Sequence, residues 1–192
     1  MGIDVGDFDN DRPFDLVVTN CAHDYDTLYR NLGGSFVDHS FVAGSRSRRS
    51  LLSAGVSISW TWITTWTSIS SCPMDIVVSN QDARPTYLVN ETEGGGRSIL
   101  VELIDTQGTR QALGARLEAT AGGVAQIRQI SSGGSYASQN DFRAHFGLGE
   151  NSTLDRLTIT WLDGTRETHE GLLADRGYAI RRGAPPVPVL SR

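Results

Sequence analysis

The chain has 192 residues, of which 39% are hydrophobic and 20% charged, and its formal net charge is −5. That is enough length and apolar content for one or two folded domains with a real core. No apolar run approaches the ~18 residues of a membrane helix, so no membrane span is expected, and the negative balance argues against nucleic acid as a partner.

In chain order, the opening "MGIDVGDFDND" has neither a basic segment nor an apolar one, so it is not a signal peptide. Gly6 stands where a myristoylation signal wants Ser or Thr. The chain starts directly on a strand-and-loop pattern and is expected to be part of a longer precursor.

"DFDNDRPFD" follows, with aspartates at loop positions 1, 3, 5 and 9. A hard cation such as Ca²⁺ takes six to eight oxygens. Asp7, Asp9 and Asp11 can each give one oxygen, the carbonyl of Pro13 another, and Asp15 two. Carboxylates this close repel one another unless a counter-ion intervenes. Position 6 of such loops usually needs Gly, and here it is Arg12 before Pro13. A residue before Pro is pushed toward extended backbone, so a weak Ca²⁺ site is expected. The alternative is a solvated acidic turn.

"FDLVVTN" (14–20) and "MDIVVSN" (74–80) read as buried strands and as copies of one another. "TLYRNLGG" follows the first and "TYLVNETEGGG" the second; "GIDVGD" precedes the first and "GVSISW" the second. Residues 1–92 are therefore expected to hold two repeats of one β-unit, which cannot bury its face alone. The basic cluster "SRSRRS" (45–50) between them reads as a solvated loop. Cys21 and Cys72 have no metal-ligand spacing and leave both a disulfide and two thiols open.

The second copy departs from the first over "WTWITTWTSIS" (60–70), which has three Trp, four Thr and no charge. With Gly55 matched to Gly2, Trp60 and Trp62 fall on Asp7 and Asp9. One reading is an amphipathic strand with Trp60, Trp62 and Trp66 on one face. The other is a frameshifted copy, because Trp followed by Thr or Ile, read two nucleotides later, becomes Asp. In that frame Asp replaces Trp60, Trp62 and Trp66, although the second copy's loop is seven residues too long for one clean pair of indels. Codons that forbid Asp at Thr64 and Ser68 would count against the frameshift. As written, the repeat is disrupted at 60–72.

"ETEGGG" (91–96) reads as a linker. Beyond it, Ile99, Val101 and Leu103 alternate on one face. Ala115, Leu117 and Ala119 alternate inward against Arg116, Glu118 and Thr120. "DRLTITWLDGTRETHE" predicts a hairpin with Leu157, Ile159 and Trp161 inside and Asp163-Gly164 at the turn. No helix is expected. The tail 184–192 is Pro-rich, expected extended and mobile.

Ser135, Tyr136, Ser138, Asn140, Asp141 and His145 cluster in "SYASQNDFRAH", where a hydrolase would need Ser, His and acid in mutual reach. No G-x-S-x-G elbow is present, and a Gly-rich turn bonded by its own polar side chains explains the composition more simply. His23, His39 and His169 have no ligand spacing.

"DVGDFDNDRPFDLVVTN…TLYRNLGGSFVD" resembles an FG-GAP/VCBS-type repeat, the unit of calcium-loop β-propellers. "GARLEATAGG…QIRQISSGGSYASQNDFRAHFGLG…DRLTITWLDGT" resembles the ASPIC/UnbV domain, most densely over 132–149. The resemblance implies an all-β chain: incomplete β-propeller-type repeats (1–92), then a small antiparallel β-sandwich (97–183) and the tail. It implies an extracellular or cell-surface, non-enzymatic, calcium-stabilised protein acting in binding or adhesion toward a protein or glycan. The rivals are a hydrolase-like enzyme with its site in 132–149 and a structural cap on a larger propeller.

Overall fold

A computed structural model describes residues 2–19, 26–40, 56–59, 76–80, 86–88, 96–106, 111–133 and 140–189. Cys21, His23, the basic cluster 45–50, the tryptophan segment 60–70 and residues 134–139 lie outside the described residues, as does most of the 91–96 linker. Among the described residues there is no helix, and the strands form four open sheets.

The first sheet is an antiparallel meander of β1 (Gly2–Gly6), β2 (Asp15–Thr19), β3 (Thr27–Asn31) and β4 (Phe36–Asp38). The Val-rich β2 alternates between buried and half-buried positions, as a strand with one covered face must. β5 (Val56–Ser59), β6 (Ile76–Asn80) and β7 (Thr86–Leu88) form a separate three-stranded antiparallel sheet. The two sheets repeat one pairing. Leu16 lies opposite Tyr29 and Val18 opposite Thr27; at the matching positions Ile76 lies opposite Leu88 and Val78 opposite Thr86. The preceding pair does not superimpose. Gly2 faces Thr19, whereas Ser57 faces Ser79. Pairing thus sets Ser57, not Gly55, at the place of Gly2, a two-residue offset.

The remaining strands are β8 (Arg97–Ile104), β9 (Arg116–Ala121), β10 (Val124–Gln129), β11 (Ala144–Gly149), β12 (Thr153–Thr160), β13 (Arg166–Leu173), β14 (Arg176–Arg181) and β15 (Val187–Pro188). They make two sheets, ordered β10-β9-β12-β13 and β11-β8-β14-β15. Both sheets feed one apolar core: Ile99, Val101, Leu117, Phe146, Leu148, Leu157, Ile159 and Ile180 have no exposed surface, and Trp161 is buried beside them. The alternations read from the sequence in β8, β9 and β12 are the inward faces of this core. The hairpin is also as expected. Gly164 takes φ 85°, its N–H donates to the Trp161 carbonyl (2.9 Å), and Trp161 N–H donates to the Thr165 carbonyl (2.8 Å).

Two expectations are corrected. The pair β8–β14 is parallel, so the unit is not purely antiparallel. Parallel neighbours require a long crossover, and β9 to β13 supply it. The tail does not run free over its whole length, because Val187 and Pro188 pair with Ala179 and Tyr178 as an edge strand. Pro is tolerated there because no further strand needs its missing N–H.

Candidate metal centre

Between β1 and β2 the chain turns through Asp7–Phe14, and the turn gathers its carboxylates inward. Asp7, Asp9 and Asp15 are all buried, each offering an oxygen within 4.8 Å of the others. Asp15 is fixed first, at the start of β2: its Oδ2 accepts from Phe8 N–H (3.0 Å) and its Oδ1 from Asn31 N–H (2.8 Å). Asp7 Oδ2 accepts from Arg12 N–H (2.9 Å), while Asp7 Oδ1 is buried with no hydrogen-bond partner. A buried carboxylate oxygen left unpaired is costly unless a cation or proton meets it. All three donors are hard oxygens, the type that suits Ca²⁺.

The other two expected ligands are placed differently. Asp11 is outside the triad: its Oδ2 faces Arg30 Nη2 at 3.3 Å, and the same nitrogen lies 2.5 Å from Asp9 Oδ2. Arg30 is therefore the counter-charge at the outer side of the loop. No contact marks the Pro13 carbonyl as part of the cluster.

Burial drives the electrostatics. It pushes Asp7 up to about 7, against the lowering hydrogen bond from Arg12 N–H and with the help of its acidic neighbours. It pushes Asp15 up to about 6, opposed by its two backbone donors. Asp11 is also raised, chiefly by burial and then by Asp9.

Arg12 overturns the expectation of an extended residue before Pro. It takes φ 93°, and Asn10 takes φ 61°, so the loop makes the sharp turn that Gly would have made at no steric cost. The strain is offset by the Arg12 N–H bond to Asp7 and by a guanidinium hydrogen bond from Nη2 to the Leu148 carbonyl (3.2 Å). The positive head thus extends to β11.

The loop is seated on the two-sheet unit. Gly96 N–H donates to the Asp9 carbonyl and Gly149 N–H to the Asn10 carbonyl, each at 3.2 Å. Arg128 lies 3.9 Å above the Phe14 ring. β11 is an edge strand, and its outer carbonyls are taken by β10 side chains: Gln126 Nε2 donates to Gly147 (2.6 Å) and Arg128 Nε to His145 (3.0 Å).

The hydrolase candidates are only partly described. Ser135, Tyr136 and Ser138 lie outside the described residues. Asp141 is bound to Arg143, through its backbone N–H (2.9 Å) and Nε (2.8 Å). His145 is buried, and burial with Arg128 nearby pushes its pKa down to about 3, so the ring is neutral. Asn140 Nδ2 donates to Asp4 Oδ1 at 3.4 Å. His39 packs on Phe8, with ring centroids 5.8 Å apart, and His169 sits 4.0 Å from Glu167.

Charge alone sets one expectation here. Replacing Arg30 by Gln removes a cation that competes for Asp9. Calcium affinity should rise roughly fivefold, since a unit charge several ångströms from a divalent ion is worth about 1 kcal/mol in water. A calcium titration that shows unchanged or weaker binding would place Arg30 outside the field of the site.

Residues 105–186 match the protein family described as ASPIC and UnbV. The matched span begins just after β8, although β8 pairs with both β11 and β14 and supplies Ile99, Val101 and Leu103 to the core. No curated protein matches the chain.

Proposed function

We propose that the chain is a non-enzymatic calcium-loop module, in which β-propeller-type repeats precede an ASPIC/UnbV β-sandwich, and that it works in binding or adhesion toward a protein or glycan outside the cell. The observation that carries the calcium reading is the buried convergence of Asp7, Asp9 and Asp15, together with an Asp7 oxygen that has no hydrogen-bond partner. The repeated register of β2–β3 and β6–β7 supports the repeat reading. Asp7, Asp9 and Asp15 would hold the ion, which would neutralise the carboxylates and fix the loop.

Affinity should be that of an extracellular module, ~10⁻⁴–10⁻³ M. At ~1 mM calcium this adds only ~0.4–1.4 kcal/mol of stability by mass action. Melting with 1 mM calcium against chelator should show that small gain in the wild type and none in Asp7→Asn. An equal gain in both would refute a site at this loop.

A further inference from the structure

The loop and β11 approach more closely than ordinary side chains allow. A Cβ built on Gly147 would collide with Asp7 Oδ2 and come within 2.9 Å of the Asn10 backbone. One on Gly96 would lie 2.6 Å from the Asn10 carbonyl oxygen, and one on Gly149 would lie 3.4 Å from the Arg12 guanidinium. Gly149 also has φ 58°, next to a register shift in the β11–β8 ladder. Strand glycines at such places mark a close backbone approach. The group admitted by Gly147 is a candidate cation ligand, and its other oxygen is the buried one with no partner.

We infer that β11 is a wall of the cation site, so that calcium binding and seating of the loop on the two-sheet unit are one linked equilibrium, with Gly147 and Arg12 as positioning residues. This rests on the calcium reading above and adds to it the control of the site by residues more than a hundred positions away. The linkage is physical. The Asp7 carboxylate reaches its place only if Gly147 leaves room for it. The turn is held at its adjacent Asp9 and Asn10 carbonyls by the N–H groups of Gly96 and Gly149. Arg12 is the latch, with its backbone N–H on Asp7 and its side chain on Leu148. Anything that seats the loop pre-forms the ligand set, and by reciprocity the ion must tighten the seating.

Arg12 gives the sharpest discrimination. As a nearby charge alone it would repel calcium, and Arg12→Ala would bind more tightly. As a latch it pre-organises the carboxylates, and Arg12→Ala would bind more weakly, with Arg12→Lys recovering part of the loss.

The experiment uses the full chain, calorimetric titration with CaCl₂, and amide exchange with and without the ion. Gly147→Ala and Arg12→Ala should each weaken calcium binding about tenfold, within the range typical of coupled sites. Calcium should slow exchange at Gly149 and Gly96 in parallel with Phe8 and Arg12 in the wild type, and not in Arg12→Ala. Unchanged protection of Leu157 and Ile159 shows that the core is intact; should Gly147→Ala fail to fold, Arg12→Ala and Arg12→Lys decide. Wild-type affinity in the variants, tighter binding in Arg12→Ala, or calcium protection confined to residues 7–15 overturns the linkage and leaves the calcium reading standing. No calcium binding by the wild type removes both.

Discussion

In calcium-free buffer the Asp7–Asp15 loop should stabilise the fold more near pH 5 than near pH 8, read as the difference between the wild type and Asp7→Asn. Asp7 and Asp15 have folded-state values near 7 and 6, above the ordinary 3.8, with burial as the leading cause. The folded state therefore holds protons that the unfolded chain has released. This contribution is complete below about pH 4 and is lost as pH rises through about 6 and then 7. Allowing for screening, the two carboxylates should lose about 2 kcal/mol between pH 5 and 8, while buried His145, held down to about 3, gains a similar amount over the same span, so the wild-type melting temperature alone changes little. Calcium reverses the trend, because the ion binds the deprotonated carboxylates and its binding expels protons. Titrations near pH 6.5 in buffers of different ionisation heat should reveal proton release that fades by pH 8.5. Asp7→Asn should remove most of the carboxylate contribution and leave a chain that gains stability from pH 5 to 8 through His145. A difference between wild-type and Asp7→Asn melting temperatures that is level from pH 5 to 8 in chelator would mean that these carboxylates are not desolvated as the loop geometry requires.

Phe146→Ala should cost about 3–5 kcal/mol, the usual range for truncating a buried aromatic. Phe146 is wholly buried on β11, between the core and the strand edge that carries the loop. Its ring also lies 5.3 Å from the Arg128 guanidinium, so a cavity here loosens both the core and the support of that cation. Leu162→Ala is the control: Leu162 is 75% exposed at the hairpin turn and should change stability by no more than about 0.5 kcal/mol. Urea unfolding of both variants measures the contrast. A loss below about 1 kcal/mol for Phe146→Ala would contradict the packing described for β11.

Much of the core was legible because alternation is local. Leu117 and Ala119, or Leu157 and Ile159, announce an inward face by their spacing alone. The acid triad was legible for the same reason, since its carboxylates stand within nine residues of chain. The misplaced parts depend on partners distant in sequence. Asp11 has the same spacing as the triad's members, and what sets it apart is Arg30, which β2–β3 pairing brings across to it. Arg12 looked like an obstacle, and the carbonyl that receives its side chain belongs to Leu148. Gly147 has no signal of its own in the sequence, because it serves a close approach that only the folded chain creates. The parallel pairing of β8 with β14 has no local signal, because it is set by the path of the five strands between them.

The most direct test of the central claim is a calorimetric titration of the unmodified chain with calcium at pH 8. One ion per chain is expected, at ~10⁻⁴–10⁻³ M, and Asp9→Ala should abolish the heat. The sequence between Gly55 and Met74 has no carboxylate to hold another ion. No heat in the unmodified chain would contradict the account, as would two ions per chain.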